Sequence, residues 1–245
     1  MLHEFYNAME QKGHKPIKVL GYLCTLLLIP VKVVQPATLA MILVSAVPLI
    51  IFIGMAVSVF SKLKYNVLDI AVTLFGAMYI VLMVSFLCST REMEMGVYLI
   101  FYIFCGAWFS DTFAYLIGRK IGKHKLTEIS PKKSVEGCIG GVIGTLIFYI
   151  VYSIVLSRVN FSHFETYALL KERFFTNFVL LIPLALLVSV ISQIGDLAES
   201  GIKRYAGIKD FSNLMPGHGG MLDRFDSVLF VAPIVYYTLF IIQHI

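Results

Sequence analysis

Long apolar runs separated by short polar stretches cover most of the 245-residue chain. A run of about 20 apolar residues is long enough to cross a bilayer as a helix, and about seven runs here approach that length. They predict transmembrane helices at Lys18–Val34, Ala37–Phe60, Val67–Cys88, Gly96–Gly118, Cys138–Leu156, Phe178–Gly195 and Val228–Ile245. We therefore expect an all-α polytopic membrane protein, folded as a single integral membrane domain over residues 1–245.

The distribution of Lys and Arg among the loops predicts the orientation of these helices. Basic residues accumulate in the short loops on the cytoplasmic side of a membrane. If the N-terminus is cytoplasmic, most of the basic loop residues fall on that side, together with the two richest polar segments, 119–137 and 196–227. We therefore expect these two segments to share the cytoplasmic face, so that an active site formed by them would lie there.

The composition agrees with lipid as the surrounding solvent. Hydrophobic residues make up 58% of the chain and charged residues only 14%, whereas soluble domains carry about 25% charged residues. The net charge of +5 suits contact with anionic lipid or with an anionic substrate. The four Cys residues show no spacing typical of metal ligands, and we interpret them as small apolar side chains.

The segment between the sixth and seventh predicted helices is the first candidate for chemistry. If it begins as a helix, one face carries four polar residues, which are Asp196, Glu199, Ser200 and Lys203. An amphipathic helix that only faces solvent would show the same pattern, so this feature alone does not decide the function.

The residues that follow favour a site for phosphate and metal. Pro216-Gly217 predicts a turn, and the glycines of His218-Gly219-Gly220 would let backbone N–H groups approach an anion. Asp223 and Asp226 then stand three positions apart, just before the last apolar run. Mg²⁺ is usually held by one or two carboxylates together with substrate phosphates. Zinc is not favoured, because this segment contains no Cys and His218 is its only His.

Two features outside this segment are also candidates. Asp111 lies inside the fourth predicted helix, where a carboxylate is costly and usually marks a site or pathway. The basic charges of the loop Arg119–Gly137 either set the topology or bind phosphate. Within that loop, the run Ser130-Pro131-Lys132-Lys133-Ser134 and the following Glu136 indicate a specified loop more than a simple charge run.

Small residues open the fifth predicted helix. Gly137 and Gly141, like Gly140 and Gly144, are four positions apart. Such pairs let a second helix approach closely in a membrane. We therefore predict a close helix contact along this face.

The run from Ser200 to Asp226 resembles the diagnostic motif of the phosphatidate cytidylyltransferases, also called CDP-diacylglycerol synthases. The family pattern is Ser, Lys-Arg, Lys-Asp, a small residue, Pro or Gly, His-Gly-Gly and Asp-Arg-x-Asp, and every fixed position is met. Met215 stands where Leu, Ile or Phe is usual. Further similar elements cover most of the chain; they lie around Asp111, at Ser130–Gly137, at Gly195–Ser200 and at Glu4-Phe5-Tyr6. Family members usually carry further apolar helices before Glu-Phe-Tyr, so we expect the chain to be N-terminally short relative to the family.

The resemblance implies that CTP and phosphatidate react to CDP-diacylglycerol and pyrophosphate, a step of phospholipid biosynthesis, in the cytoplasmic membrane of a bacterium. It implies Mg²⁺ held by Asp196 and Asp223, with a second cation left open. The expected catalytic residues are Asp196, Lys203, Arg204, Lys209, Asp223, Arg224 and Asp226. The expected substrate-binding residues are Asp111, Ser130, Lys132, Lys133, Glu136, Ser200, Asp210, His218, Gly219 and Gly220. The expected partners are CTP, phosphatidate and membrane lipid, without nucleic acid; a homodimer is left open.

Two alternatives remain beside this interpretation. A CTP-dependent lipid kinase would share the nucleotide and the membrane but transfer the γ-phosphate. A transporter would also explain an intramembrane Asp and basic loops, although the polar groups gather at one face and no inverted repeat is visible.

Overall fold

The structure, a computed structural model, describes residues 1–26, 36–128, 130–161, 163–217 and 219–244. The side chains of residues 36–44, 46 and 244 are outside this description. The described residues are helical, with no β-strand among them and two isolated β-bridges. The α-helices are α1 (Leu2–Gln11), α2 (Lys18–Thr25), α3 (Pro36–Phe60), α4 (Val67–Gly76), α5 (Met83–Glu92), α6 (Gly96–Ile121), α7 (Val135–Arg158), α8 (Tyr167–Leu170), α9 (Phe178–Ala206) and α10 (Leu222–His244). Two π-helical segments, Ala77–Leu82 and Lys171–Phe175, follow α4 and α8.

Five helical stretches of the described chain are long and apolar enough to cross a membrane. They are Val67–Glu92, Gly96–Ile121, Val135–Arg158, Phe178–Ala206 and Leu222–Gln243. A shorter apolar helix covers Val47–Phe60. The protein is therefore an all-helical, polytopic membrane protein, as the hydrophobic pattern predicted. The prediction of about seven spans is not confirmed.

The first two predicted spans meet the limits of the described chain. Of the span Lys18–Val34, the structure describes the short helix α2 and its end; residues 27–34 lie outside the described residues. The second predicted span corresponds to α3, whose first side chains are also outside the description.

Two polar helix ends were not predicted from the apolar runs. Helix α9 continues past Gly195 to Ala206, and α10 begins at Leu222, before the predicted start at Val228. Hydropathy identifies the part of a helix that crosses lipid, whereas backbone hydrogen bonding continues into polar sequence. Asp196, Asp223 and Asp226 thereby lie on helices.

Backbone contacts divide the chain into two compact units. Unit 1 contains Met1–Ser89 and Gly201–Phe225, and unit 2 contains Thr90–Ser200 and Asp226–Ile245. The division into two units does not test the single catalytic domain expected from the sequence, which stays a prediction.

The core of unit 2 contains a close contact between α6 and α7. A Cβ added at Gly137 would lie 2.7 Å from the carbonyl oxygen of Ala114, and one at Gly141 would lie 2.7 Å from that of Ser110. The absence of side chains therefore lets the two backbones touch. This confirms the close helix contact predicted from the glycine pairs.

Candidate active site

Unit 2 contains a cavity of about 590 Å³, which is within the usual size range of small-molecule sites. Its walls come from α6, from the loop between α6 and α7, from the start of α7 and from α9. The lining residues are Asp111, Ala114, Tyr115, Gly118, Arg119, Ser130, Lys132, Lys133, Ser134, Gly137, Cys138, Gln193 and Asp196. Five residues predicted from the sequence thus meet in one cavity, namely Asp111, Ser130, Lys132, Lys133 and Asp196.

The loop between α6 and α7 is folded back on itself as a short hairpin. The Leu126 N–H donates to the Lys133 carbonyl at 2.9 Å, and the Val135 N–H donates to the His124 carbonyl at 3.0 Å. Ser134 then caps α7, because its Oγ accepts from the Gly137 N–H at 3.1 Å. These backbone bonds fix the part of the loop that carries Lys132 and Lys133.

Glu136 secures the other end of this loop. Its Oε1 lies 2.6 Å from Nδ1 of His124, and its Oε2 accepts from the Lys123 N–H at 3.1 Å. Glu136 is not among the residues that line the cavity. Its predicted substrate contact therefore stays a prediction, while the contacts in the structure give it a role in holding the loop.

Lys133 and Asp196 form an ion pair in the cavity. Nζ of Lys133 lies 2.5 Å from Oδ2 of Asp196, and the two side chains are 21% and 26% exposed. The Ser200 hydroxyl, one helical turn further along α9, donates to Oδ1 of Asp196 at 3.5 Å, a weak bond. Asp196 is thus positioned by both a cation and a hydroxyl group.

A single hydroxyl connects Asp111 with Asp226. Oγ of Ser227 lies 2.9 Å from Oδ2 of Asp111 and 3.2 Å from Oδ1 of Asp226. A hydroxyl has one proton, so it donates to only one of the two carboxylates at a time. Asp196 and Asp226 both act on Asp111 electrostatically as like charges, and Lys133 acts as the opposite charge. Three carboxylates of unit 2 are therefore gathered here, and those of Asp196 and Asp226 are both close enough to repel that of Asp111.

These carboxylates suit a hard cation by their chemistry. Mg²⁺ prefers oxygen ligands, and Asp111, Asp196, Asp226 and the Ser227 hydroxyl supply oxygen only. No preformed cluster of three or more His, Cys, Asp or Glu ligands occurs within the described ranges. The donor set is therefore compatible with Mg²⁺, and the predicted magnesium site stays a prediction.

Asp223, the other predicted metal ligand, belongs to unit 1 and is almost fully engaged. Oδ1 pairs with Nζ of Lys203 at 2.8 Å, and Oδ2 accepts from the N–H groups of Phe211 and Gly220, each at 2.8 Å. A carboxylate offers about four acceptor positions. Three positions are in use among the described residues, and of these two are on Oδ2 and one is on Oδ1.

The glycine-rich turn lies next to Asp223 in unit 1. The Met215 N–H donates to the Gly219 carbonyl at 3.0 Å, and Gly217 and Gly219 have φ values of +76° and +81°. This confirms the turn predicted at Pro216-Gly217. His218 lies outside the described residues.

The other predicted residues of this segment differ in exposure. The side chains of Arg204, Lys209, Asp210 and Arg224 are exposed. Glu199, expected on the same helix face as Asp196, is completely buried. The basic side chains are therefore accessible to a soluble anion.

Sequence reasoning missed several residues of the two units. Gln193 lines the cavity and donates from Nε2 to the Cys138 carbonyl at 3.2 Å; its signal was an amide inside an apolar run, three positions before Asp196. Ser227, which follows Asp226 directly, had no signal of its own. Cys138 had been interpreted only as a small apolar residue, and it lines the cavity as well.

Comparison with known proteins gives a consistent result. The profile of the cytidylyltransferase family matches residues 1–242. A Staphylococcus haemolyticus (strain JCSC1435) protein named phosphatidate cytidylyltransferase is 40% identical over 185 residues. Proteins of the same name from Staphylococcus aureus (strain COL) and Staphylococcus saprophyticus are 39% and 38% identical over 185 residues. Each match covers 75% of this chain and 64% of the relative, so the chain matches slightly less than two thirds of those proteins.

Proposed function

The chain belongs to the cytidylyltransferase family, and on this premise we propose that it transfers the cytidylyl group of CTP to phosphatidate. The products are CDP-diacylglycerol and pyrophosphate. The observation that carries the proposal is the cavity of unit 2, in which Lys132 and Lys133 lie together with Asp111 and Asp196. Relatives named phosphatidate cytidylyltransferase support the choice of substrate.

The cavity supplies the charges that this reaction needs. Arg119, Lys132 and Lys133 line it, and such side chains bind phosphate by charge-assisted hydrogen bonds. An oxygen of the phosphatidate phosphate attacks the α-phosphorus of CTP, a new P–O bond forms, and the bond to the β-phosphate breaks. The nucleophile is already an anion near neutral pH, so the reaction needs no general base. Catalysis then consists mainly of positioning and charge neutralisation.

The basic residues of unit 1 fit the same requirement. The exposed side chains of Arg204, Lys209 and Arg224 are proposed to bind the phosphates of CTP and the departing pyrophosphate. Lys203, held by Asp223 at 2.8 Å, is proposed to contact the same anions. The turn at Gly219-Gly220 is proposed as a close backbone wall for them.

Magnesium is proposed as the cofactor. The assignment to Asp196 and Asp223 is the one implied by the family resemblance, with Asp111 and Asp226 as further oxygen ligands or as ligands of a second cation. When bound, Mg²⁺ supplies neutralisation of the charge on the phosphates.

The proposed location is the cytoplasmic membrane of a bacterium, with the N-terminus and both polar segments, 119–137 and 196–227, on the cytoplasmic side. The concentration of Lys and Arg in these segments supports it. On that side the site would meet CTP from solution and phosphatidate from the bilayer.

One labelling experiment tests the proposal. Purified protein in detergent is incubated with phosphatidate, Mg²⁺ and CTP that carries the label on either the α- or the γ-phosphate. We expect α-label in the lipid product and γ-label only in pyrophosphate. In a parallel incubation with diacylglycerol in place of phosphatidate, γ-label in lipid would favour the lipid kinase, and no label in lipid in either incubation would contradict both.

A further inference from the structure

Helix α1 carries a buried carboxylate that the proposed reaction does not use. The side chain of Glu4 is 6% exposed, although Glu is rarely buried without partners. Three hydrogen-bond donors surround it, and the N-terminal ammonium of Met1 lies 3.3 Å from Oε2. The Ser212 hydroxyl donates to Oε1 at 2.6 Å, the Met221 N–H to Oε1 at 2.9 Å, and the Leu222 N–H to Oε2 at 2.9 Å.

These donors lie at both ends of one loop. Ser212 follows the end of α9 at a short distance in sequence, and Met221 and Leu222 mark the start of α10. The N–H groups at a helix start have no partner within the helix. Glu4 therefore closes the loop of residues 212–221 and caps the helix on which Asp223 lies.

The helix that carries Glu4 is itself firmly anchored within unit 1. Tyr6 is completely buried and donates its hydroxyl to the Thr73 carbonyl at 2.8 Å. Its ring lies against Gly21 and Gly76; a Cβ at Gly76 would come within 2.6 Å of Cε1 of Tyr6. Because Tyr6 fits between two glycines, α1 has little freedom to slide. Glu4 is thus a fixed point against which the loop is held.

The same loop is held from its other side by Asp223. Oδ2 of Asp223 accepts from Phe211 and Gly220, the residues directly before Ser212 and directly before Met221. The two carboxylates therefore hold adjacent positions at each end of the loop. Gly220 lies next to both, since a Cβ there would be 2.6 Å from Oε1 of Glu4 and 2.7 Å from the Ser212 hydroxyl.

We propose that Glu4 is a positioning residue for nucleotide binding: it holds the 212–221 loop so that the glycine-rich turn within it is arranged to receive the phosphates of CTP. This inference rests on the proposed function. Glu4 touches no substrate in this scheme and acts through Met221, Leu222 and Ser212. Its loss would weaken CTP binding and leave the interaction with phosphatidate unchanged.

The test compares Glu4→Gln with Glu10→Gln, a matched change on the same helix. Gln has almost the same shape as Glu, but one of its terminal atoms is an NH₂ group, which faces a donor here. Glu10 instead pairs with Lys18 at 2.7 Å, away from the loop. For Glu4→Gln we expect KM for CTP to rise about tenfold or more, with KM for phosphatidate unchanged, and for Glu10→Gln no change in either.

Hydrogen exchange and a second variant test the role of Glu4 independently of KM in Glu4→Gln. Hydrogen exchange at the amides of Met221 and Leu222 should be faster in Glu4→Gln than in Glu10→Gln, which is independent of turnover. Ser212→Ala, which removes one of the three hydrogen bonds to Glu4, should show a smaller rise in KM for CTP. This variant replaces Glu4→Gln in the test if Glu4→Gln does not fold.

The outcomes separate the inference from the function on which it rests. If Glu4→Gln shows faster amide exchange at Met221 and Leu222 and a lower kcat, but an unchanged KM for CTP, then Glu4 only stabilises the fold. That result would overturn the positioning role. Unchanged exchange and unchanged KM would overturn it as well. If the unsubstituted protein transfers no label from CTP to phosphatidate, the proposed function fails first, and the positioning role fails with it.

Discussion

The ion pair between Lys203 and Asp223 allows stability and catalysis to be separated by substitution. The two side chains are 14% and 5% exposed, so solvent screens the pair only weakly. In Asp223→Asn the amide oxygen can still accept from the N–H groups of Phe211 and Gly220, but the ammonium of Lys203 loses its ion pair with Asp223. A hydrogen bond to a charged group contributes about 1.5–3 kcal/mol to stability. We therefore expect Asp223→Asn to lose about 1.5–3 kcal/mol of stability.

The double variant Asp223→Asn with Lys203→Met also removes the ammonium that has lost this ion pair. A Met side chain fills a similar volume and can keep the contact with the Phe211 ring, which lies 5.8 Å from Nζ of Lys203. We therefore expect the double variant to regain most of the thermal stability that Asp223→Asn loses. Cytidylyl transfer should stay lost in both, because Asp223 is proposed to bind the metal.

The assay is thermal unfolding in detergent, measured beside label transfer from CTP to lipid. Lys203→Met alone shows how much activity depends on the ammonium. If activity returned together with thermal stability in the double variant, Asp223 would be a structural residue, and its proposed role in metal binding would be refuted. An unchanged unfolding temperature in Asp223→Asn would instead contradict the stabilisation expected from the buried ion pair with Lys203.

Three further predictions follow from other contacts. Lys133→Gln should raise KM for an anionic substrate about tenfold or more, since Lys133 is a cation of the cavity; Lys171→Gln, on a different segment, is the control, and an equal KM in both would contradict the cavity as the site. Gly141→Leu should destabilise the protein or prevent its folding, because a Cβ there already lies 2.7 Å from the Ser110 carbonyl oxygen; an unchanged unfolding temperature would contradict the α6–α7 contact. Burial raises the pKa of Glu4, but the hydrogen bonds from Ser212, Leu222 and Met221 and the charge of the N-terminal ammonium outweigh it, so that the pKa is lowered from 4.5. The ionised Glu4 carboxylate therefore contributes fully to stability above pH 4.5, and this contribution is lost as the pH falls through the lower pKa of the folded state. The difference in unfolding temperature between the unsubstituted protein and Glu4→Gln should shrink as the pH falls below 4.5. A difference that stays constant with pH would contradict the hydrogen bonds assigned to Glu4.

The sequence predicted the helical membrane fold because apolar length is a property of local sequence. It also predicted the contact at Gly137 and Gly141, since small residues four apart form one face of a helix. It did not predict that α9 continues to Ala206 or that α10 begins at Leu222. A polar helix end has no hydrophobic signal, and only the tertiary contacts of its residues decide how far it extends.

The sequence predicted those residues of the candidate site whose own side chains are charged and stand in an unusual position or in a motif. Asp111, Lys132 and Lys133 were named from an intramembrane charge and from a family motif, and all three line one cavity. The sequence did not predict the hydrogen bonds that Ser227 and Glu4 make in the structure. Their partners are distant in sequence, Asp111 for Ser227 and Met221 for Glu4, and pairing across that distance is a property of the fold and not of the local pattern.

The pairing of Lys133 with Asp196 has a consequence for how the cavity binds anions and cations. A phosphate that binds Lys133 has to compete with Asp196, and in doing so it releases a carboxylate for a positive ion. A cation that binds Asp196 releases Lys133 for an anion in the same way. By thermodynamic linkage each then increases the affinity for the other to the same extent. The cavity is therefore suited to take up a nucleotide together with its counter-ion, as a salt, in preference to either ion alone.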